Sequence, residues 1–299
     1  MTLIGINTWV WTSPLRDVQA RELLAHVAAT GFDVVELPLE QPGDLTVAAT
    51  RAALDDTGLQ ACVVGAMGPG RDLVGPDDEP PTAATVRATQ DYLRACVDLA
   101  HGIGATAVCG PFYAATGRTW RMTPVQREQT YARWRDALEP VVEHAADAGV
   151  RIGIEPLNRY ETSLINTTQQ ALTALGPLLD GPLAAHVGLA LDTYHLNIEE
   201  RSSSEAIRLA GEHLVHVQVC GNDRGAPGGD QTDWPAVLAA LTEVGYAGPL
   251  VIESFTADND TIATAASIWR PLAPTQDALA ADGLAFLRSL TATEGPTHD

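Results

Sequence analysis

The segment 151–155, Arg-Ile-Gly-Ile-Glu, is a short apolar run that ends in a carboxylate. Three later segments have the same form: 187–192 (Val-Gly-Leu-Ala-Leu-Asp), 214–218 (Leu-Val-His-Val-Gln) and 249–253 (Pro-Leu-Val-Ile-Glu). Apolar runs of this length, bounded by turn residues, are typical of strands buried on both faces of a parallel sheet. Ligands bind at the carboxyl ends of such strands. We therefore expect three carboxylates and one amide to converge on one point.

The same alternation of short strands and longer helical segments extends over the whole chain. The predicted strands are Leu3–Asn7, Val34–Leu37, Ala61–Gly65, Ala107–Cys109, Arg151–Glu155, Val187–Asp192, Val215–Val219 and Leu250–Glu253. The predicted helices lie around 17–30, 46–57, 83–102, 124–148, 167–179, 203–212, 233–244 and 261–290. The last one is interrupted at 269–272, because Pro271 cannot continue a helix. Eight strands that alternate with eight helices match the count of a (β/α)8 TIM barrel. We predict an α/β fold with one barrel domain over residues 1–290 and a polar tail over 291–299.

Composition excludes several classes of function. The chain has 299 residues and a formal net charge of -20, from 38 acidic and 18 basic residues, which argues against nucleic acid and anionic membranes as partners. The N-terminus lacks the basic region of a signal peptide, and no run approaches the roughly 18 apolar residues of a membrane span. The four cysteines are scattered, so we expect reduced thiols and a cytoplasmic protein.

The four strand ends offer oxygen ligands for a hard divalent cation such as Mg²⁺ or Mn²⁺. Glu155, Asp192 and Glu253 supply carboxylates, and Gln218 supplies an amide oxygen. His216 shares the strand face of Gln218 but would lie one layer deeper in the barrel, which makes Gln218 the better-placed ligand. The alternative is that one or two of the carboxylates only cap neighbouring helices.

Other polar residues follow these strand ends closely. Glu161 lies six residues after Glu155, His195 three after Asp192, and Arg224 six after Gln218. His195 is a candidate for contact with the substrate or with the metal ligands, or alternatively a helix-start residue bonded to a backbone carbonyl. Arg224 is a candidate in a Gly/Pro-rich loop, or alternatively a surface charge.

Three tryptophans in loops at the same end of the barrel are candidate walls for a substrate. Trp11 follows strand 1, as does Trp9, and Trp120 lies in the long loop after strand 4. Burial under a loop is the alternative for each of them.

These segments, with Ile268-Trp269-Arg270, closely resemble the ketose 3-epimerase group (D-tagatose, D-allulose and L-ribulose 3-epimerases) of the xylose-isomerase-like TIM barrel family. The resemblance covers most of the chain and is densest from 150 to 272. It implies that Glu155 and Glu253 are metal ligands and also the acid/base pair, and that Asp192 is a ligand only. It implies that His195, Arg224 and Glu161 hold the C1–C3 end of a ketose.

The resemblance also implies a cofactor and an assembly. Mn²⁺ is the expected metal, with Co²⁺ or Mg²⁺ as alternatives, and the expected assembly is a homodimer or homotetramer. Gln218 departs from the group, which carries a metal-binding histidine at this position. We expect weaker metal binding and a changed metal preference as a result.

The chemistry of epimerisation explains why two glutamates are needed. A proton next to a ketone is weakly acidic, so its removal needs a positioned base and stabilisation of the enediolate. One carboxylate must remove the proton from one face, and another must return it to the opposite face. Glu155 and Glu253, on strands across the barrel mouth, suit these two roles.

Three alternatives share the fold. A catalytic subunit that cleaves 3-keto C- or O-glycosides with a small partner chain would begin with the same proton abstraction, and the Gln218 departure favours it. An endonuclease acting at abasic DNA sites is disfavoured, because the chain lacks a His-rich zinc cluster and a basic surface. A non-catalytic sugar-binding barrel is the third, and Gln218 is the feature that favours it.

Overall fold

Eight parallel strands close into a barrel in chain order in the computed structural model, which describes residues 2–292. The strands are β1 (Ile4–Asn7), β2 (Val34–Leu39), β3 (Gln60–Gly65), β4 (Ala107–Gly110), β5 (Arg151–Ile154), β6 (Val187–Asp192), β7 (Leu214–Val219) and β8 (Leu250–Ile252). Strand β1 pairs with β8 and completes the closure. The predicted single barrel is confirmed, and every predicted strand is present. Glu155 and Glu253 lie one residue beyond their strands.

Helices cover the outside of the barrel. They are α1 (Asp17–Thr30), α2 (Val47–Thr57), α3 (Ala83–Ile103), α4 (Pro124–Ala148), α5 (Thr168–Leu179), α6 (Thr193–Glu199), α7 (Ser203–Ala210), α8 (Trp234–Glu243), α9 (Asp260–Ala265) and α10 (Gln276–Ala292). Threonine hydroxyls begin several of them; Thr123 and Thr167 each form a reciprocal capping box with a glutamine three residues later. Gly31 and Gly149 end α1 and α4 in the left-handed conformation, as their positions after the helical patterns predict.

The interruption predicted in the last helical segment is present, and one helical feature was not predicted. The segment 261–290 forms α9 and α10 with an irregular stretch between them, in which Pro271 cannot continue a helix and Ser267 has a positive φ of 59°. The short helix α6 has no counterpart among the predicted helices. It begins directly after β6, where the Asp192 side chain accepts a hydrogen bond from the Tyr194 backbone N–H.

The barrel interior combines small apolar clusters with a polar layer. Val34, Cys62 and Val251 form one cluster, and Val64, Cys109 and Ala190 form another. The four cysteines are free and buried, as expected. Because side chains two apart on a strand share a face, Glu36 on β2 points inward like Val34. A polar layer therefore lies within the barrel beneath the strand ends.

The ends of the described chain bear on two further expectations. The predicted tail starts at 291, but Thr291 and Ala292 are the last residues of α10; residues 293–299 lie outside the described part. Among the described residues, no helix is both long and apolar enough to cross a membrane.

Candidate active site

The predicted carboxylates lie together at the carboxyl end of the barrel. Glu155, Asp192 and Glu253 are each at least 96% buried, with relative exposures of 4%, 1% and 3%. Ligand atoms of Glu155, Asp192 and His195 all lie within 4.8 Å of one another. Strands β5, β6 and β8 thus bring residues that are nearly 100 positions apart in the sequence to one buried point.

Arg224 joins two of these carboxylates. Its guanidinium contacts the Asp192 carboxylate through Nη1 and lies 3.0 Å from Glu253 Oε2 through Nη2. The rings of Tyr194 and Phe255 flank the guanidinium carbon at 4.6 and 4.5 Å from their centroids. Burial alone would lower the pKa of Arg224, but Asp192 and Glu253 raise it well above the usual value. The surface-charge alternative for Arg224 is wrong, since the residue is 6% exposed.

If all three carboxyl groups were ionised, they would carry more negative charge than Arg224 can balance. Burial and the nearby Asp192 raise the pKa of Glu155 well above its usual value. Burial, followed by the charges of Glu155 and Asp192, raises the pKa of Glu253 well above its usual value despite the opposing effect of Arg224. Raised carboxyl pKa values are typical of groups that exchange protons during catalysis.

The hydrogen bonds of His195 fix which ring nitrogen faces the carboxylates. The backbone N–H of Asn158 donates to Nδ1 at 3.1 Å, so Nδ1 acts as an acceptor. Burial lowers the pKa of His195, which favours the neutral ring with its proton on Nε2. Nε2 lies 3.4 Å from Glu155 Oε1 and 3.7 Å from Asp192 Oδ2. In this tautomer His195 is a donor toward the site and not a metal ligand.

Gln218 lies near the end of β7 next to Asp192, and its amide is hydrogen-bonded to Glu36 deeper in the barrel. Gln218 pairs with Asp192 across strands β6 and β7. Its Nε2 donates to Glu36 Oε2 at 2.8 Å. Its Oε1 is buried and has no hydrogen-bond partner among the described residues.

His216 belongs to a deeper group, as its position on β7 predicts. Its Nε2 lies 2.7 Å from Glu36 Oε1, and ligand atoms of Glu36, Cys62 and His216 lie within 4.8 Å of one another. Burial would raise the pKa of Glu36, but the His216, Gln218 and Asn7 side chains together lower it. Glu36 is thus an ionised acceptor for polar side chains. The close approach of Glu36, Cys62 and His216 therefore does not require a second cation.

The predicted substrate residues occupy different parts of the surrounding loops. Glu161 accepts a hydrogen bond from Asn158 Nδ2 at 2.7 Å, beside His195. Trp120 lines a cavity of about 260 Å³ next to the loop after β3. Its backbone N–H donates to Ser163 in the loop after β5.

The two tryptophans after β1 point in different directions. Trp11 Nε1 donates to Asp277 Oδ1 on α10, and the indole packs edge-on against His26 of α1. These contacts hold Trp11 beside α1 and α10. Trp9 packs on the inner cluster of Val64, Cys109 and Ala190, and edge-on against Phe255. Trp9 therefore lies beside the barrel mouth, next to a ring that flanks Arg224.

Sequence reasoning missed Glu36, Asn7 and Asn158. Glu36 is the one charged residue in the apolar strand Val-Val-Glu-Leu-Pro-Leu, and a buried glutamate needs a polar partner. It lies in the middle of its strand, so a rule based on strand ends does not find it. Asn7 ends β1, as Asp192 ends β6, and could have been found by the same rule. Nothing local in the sequence marks Asn158.

The residues at this point suit a divalent cation. Glu155, Asp192 and Glu253 are buried carboxylates with a single arginine between them, and Gln218 Oε1 is a buried acceptor that lacks a partner among the described residues. Oxygen donors of this type are the preferred ligands of Mg²⁺ and Mn²⁺. A buried excess of negative charge is strongly unfavourable unless a cation compensates it.

Fold and site together define a TIM barrel enzyme with a carboxylate-rich centre at the carboxyl ends of its strands. A model of the family described as xylose isomerase-like TIM barrel matches residues 24–290. The chain belongs to this family, and within it to the ketose 3-epimerase group.

Similar proteins and structures support this placement. An L-ribulose 3-epimerase of Methylomonas sp. (strain DH-1) is 30% identical over 286 residues, which cover 95% of this chain and 96% of that protein. A ketose 3-epimerase of Arthrobacter globiformis is 33% identical over 287 residues, or 95% of both chains. The crystal structure of a D-allulose 3-epimerase from Methylomonas sp. has a TM-score of 0.85 and 30% identity, and covers 97% of this chain and 98% of that one.

Proposed function

We propose that this protein is an isomerase that epimerises a free ketose at C3 with the help of a divalent metal. The observation that supports the proposal is a buried carboxylate cluster in a family whose similar members are ketose 3-epimerases: ligand atoms of Glu155 and Asp192 lie within 4.8 Å of each other, and Arg224 links Asp192 to Glu253. Those proteins are named for L-ribulose, ketose and D-allulose substrates. The substrate class for this chain is accordingly a small free ketose.

The side chains divide the reaction between them. Glu155 and Glu253 act as the two acid/base groups: one removes the C3 proton and the other returns a proton to the opposite face. Burial raises the pKa of both carboxyl groups above the usual value, which favours their protonated forms in the metal-free protein. His195 Nε2–H and Arg224 donate hydrogen bonds to ketose oxygens, and Glu161 accepts one from a hydroxyl. A divalent cation held at this site would supply positive charge to offset the negative charge that develops when the C3 proton is removed.

The identity of the metal and the assembly are parts of the same proposal. Mn²⁺ is the proposed cofactor, with Co²⁺ and Mg²⁺ as alternatives, and Glu155, Asp192, Gln218 and Glu253 would hold it. A homodimer or homotetramer and a cytoplasmic location are proposed from the sequence and its resemblance. Trp120 is proposed as a substrate wall; for the loop after β1, the contacts of Trp9 support that role better than those of Trp11.

Turnover of ketoses tests the proposal. The protein, loaded with Mn²⁺, is incubated with L-ribulose, D-allulose, D-fructose and D-tagatose, and the products are separated by chromatography. We expect at least one ketose to equilibrate with its C3 epimer, and Glu155→Gln and Glu253→Gln to abolish the conversion. Bound metal without any C3 epimer would instead favour a 3-keto-glycoside substrate and a missing partner chain.

A further inference from the structure

Glu36 lies below the proposed metal ligands and is fully buried. Its two carboxylate oxygens face different groups. Oε2 accepts hydrogen bonds from Gln218 Nε2 at 2.8 Å and from Asn7 Nδ2 at 2.7 Å, whereas Oε1 lies 2.7 Å from His216 Nε2. The proposed mechanism gives Glu36 no role, although burying a carboxylate is costly unless it is well bonded.

The orientation of the Asn7 amide follows from a backbone group. The Trp9 backbone N–H donates to Asn7 Oδ1 at 2.8 Å, and a backbone N–H can only donate. Asn7 must therefore direct Nδ2 away from Trp9, toward Glu36 and, at 3.4 Å, toward Glu253 Oε1. Asn7 Nδ2 therefore always donates one of the hydrogen bonds that Glu36 Oε2 accepts.

The orientation of the Gln218 amide follows in turn. Because a carboxylate accepts hydrogen bonds, the end of the Gln218 amide that faces Glu36 must be the NH2 group. The oxygen must then point the other way. Gln218 Oε1 is buried without a hydrogen-bond partner among the described residues, a costly state that a cation at the carboxylate cluster would relieve.

We propose that Glu36 is a positioning residue that fixes the amide of Gln218 so that its oxygen faces the divalent cation. This inference rests on the proposed metal site. The amide oxygen and the NH2 group of a glutamine are nearly equal in size but opposite in hydrogen bonding. Fixing the amide by Glu36 explains how Gln218 presents its oxygen, and not its NH2 group, to the metal. Groups that orient a metal ligand typically contribute about 10–100-fold to metal affinity.

The variant Glu36→Gln keeps the size of the side chain and removes the obligatory acceptor. The new side-chain amide at position 36 can donate a hydrogen bond to Gln218 Oε1. This hydrogen bond would compete with the metal for the Gln218 oxygen. We expect Glu36→Gln to weaken Mn²⁺ binding roughly tenfold, measured by titration calorimetry on the full-length metal-free protein.

A double-mutant cycle separates positioning from a general structural effect. Gln218→Leu removes the ligand and should weaken Mn²⁺ binding by a similar factor. In the Gln218→Leu background, Glu36→Gln should have no further effect on Mn²⁺ affinity, because there is no amide left to orient. His216→Leu is a matched control in the same buried group, since it removes the contact to Oε1 and leaves the Gln218–Glu36 bond intact. It should lower the Tm and change Mn²⁺ affinity less than about threefold.

Three outcomes would overturn the inference. Unchanged Mn²⁺ affinity in Glu36→Gln would show that Glu36 does not position a ligand. Additive losses in the double variant would show that Glu36 acts on the cation by another route. Wild-type protein that binds no Mn²⁺ at all would remove the proposed metal site itself, and with it this inference. Loss of epimerase activity with normal metal binding would affect only the proposed reaction.

Discussion

Replacing Glu155 by glutamine separates the two proton transfers that epimerisation requires. The substitution keeps the size of the side chain and an acceptor oxygen for His195 Nε2, which lies 3.4 Å from Glu155 Oε1. It removes one acid/base group and one carboxylate ligand. Because burial raises the pKa of Glu155, a neutral amide at this position does not cost stability at pH 8 in the metal-free protein. We expect a Tm at least as high as that of the wild type there.

The loss of activity can be bounded. A positioned general base contributes about 10²–10⁴-fold to a rate. At about 1.36 kcal/mol per tenfold change, this corresponds to roughly 2.7–5.5 kcal/mol in activation free energy. The rate of epimerisation by Glu155→Gln should therefore be at least about 10²-fold lower than that of the wild type. The assay uses saturating Mn²⁺, so that weaker metal binding does not affect the measured rate.

The assay that distinguishes two bases from one follows both epimers separately in D2O. In Glu155→Gln, deuterium should still enter C3 of the epimer whose proton faces Glu253, without forming the other epimer. Glu253→Gln should show the reverse preference. Loss of exchange from the same epimer in both variants would refute the two-base reasoning, as would near-native epimerisation in either one.

Three further predictions concern the metal and its surroundings. Gln218→His should tighten Mn²⁺ binding, because imidazole is a stronger ligand than an amide oxygen; unchanged or weaker affinity by calorimetry would mean that Gln218 is not a ligand. Arg224→Met should destabilise the metal-free protein by roughly 3–5 kcal/mol, because it leaves the Asp192 carboxylate buried without its guanidinium partner. Mn²⁺ should raise the Tm of this variant more than that of the wild type; equal metal-induced shifts in a thermal melt would contradict this. The pKa values of Glu155 and Glu253 are raised in the folded metal-free protein. The protonated forms of these two groups therefore stabilise the fold at low pH, and this contribution is lost as the pH rises through the pKa values of the folded state. Mn²⁺ binding should therefore release protons and strengthen with pH, and binding enthalpies that do not depend on the ionisation enthalpy of the buffer would refute this.

The barrel could be predicted from sequence because its signals are local and repeated. Each strand is a short apolar run between turn residues, and glycines such as Gly31 and Gly149 mark the helix ends. The positions of the buried carboxylates followed from the same pattern, since polar side chains at the carboxyl ends of parallel strands must meet. Glu155, Asp192 and Glu253 were found in this way.

The rest depends on contacts that no local pattern contains. The orientation of the Gln218 amide is set by Glu36, 182 residues earlier in the chain. The contrast between Trp9 and Trp11 arises from a single turn of 3-10 helix at Thr8–Val10, which turns one indole toward the barrel mouth and the other toward α10. The split of the last helical segment follows from Pro271, but the left-handed Ser267 near it has no signal in the local sequence.

Solvent deuterium uptake, followed by NMR with added Mn²⁺ across a panel of free ketoses, tests the central claim most directly. Deuterium that appears at C3 together with the C3 epimer is the predicted result, and it would also identify the substrate. Deuterium at C1 would contradict C3 epimerisation and indicate aldose–ketose isomerisation. The absence of exchange in every free ketose, with Mn²⁺ demonstrably bound, would contradict a free-ketose substrate.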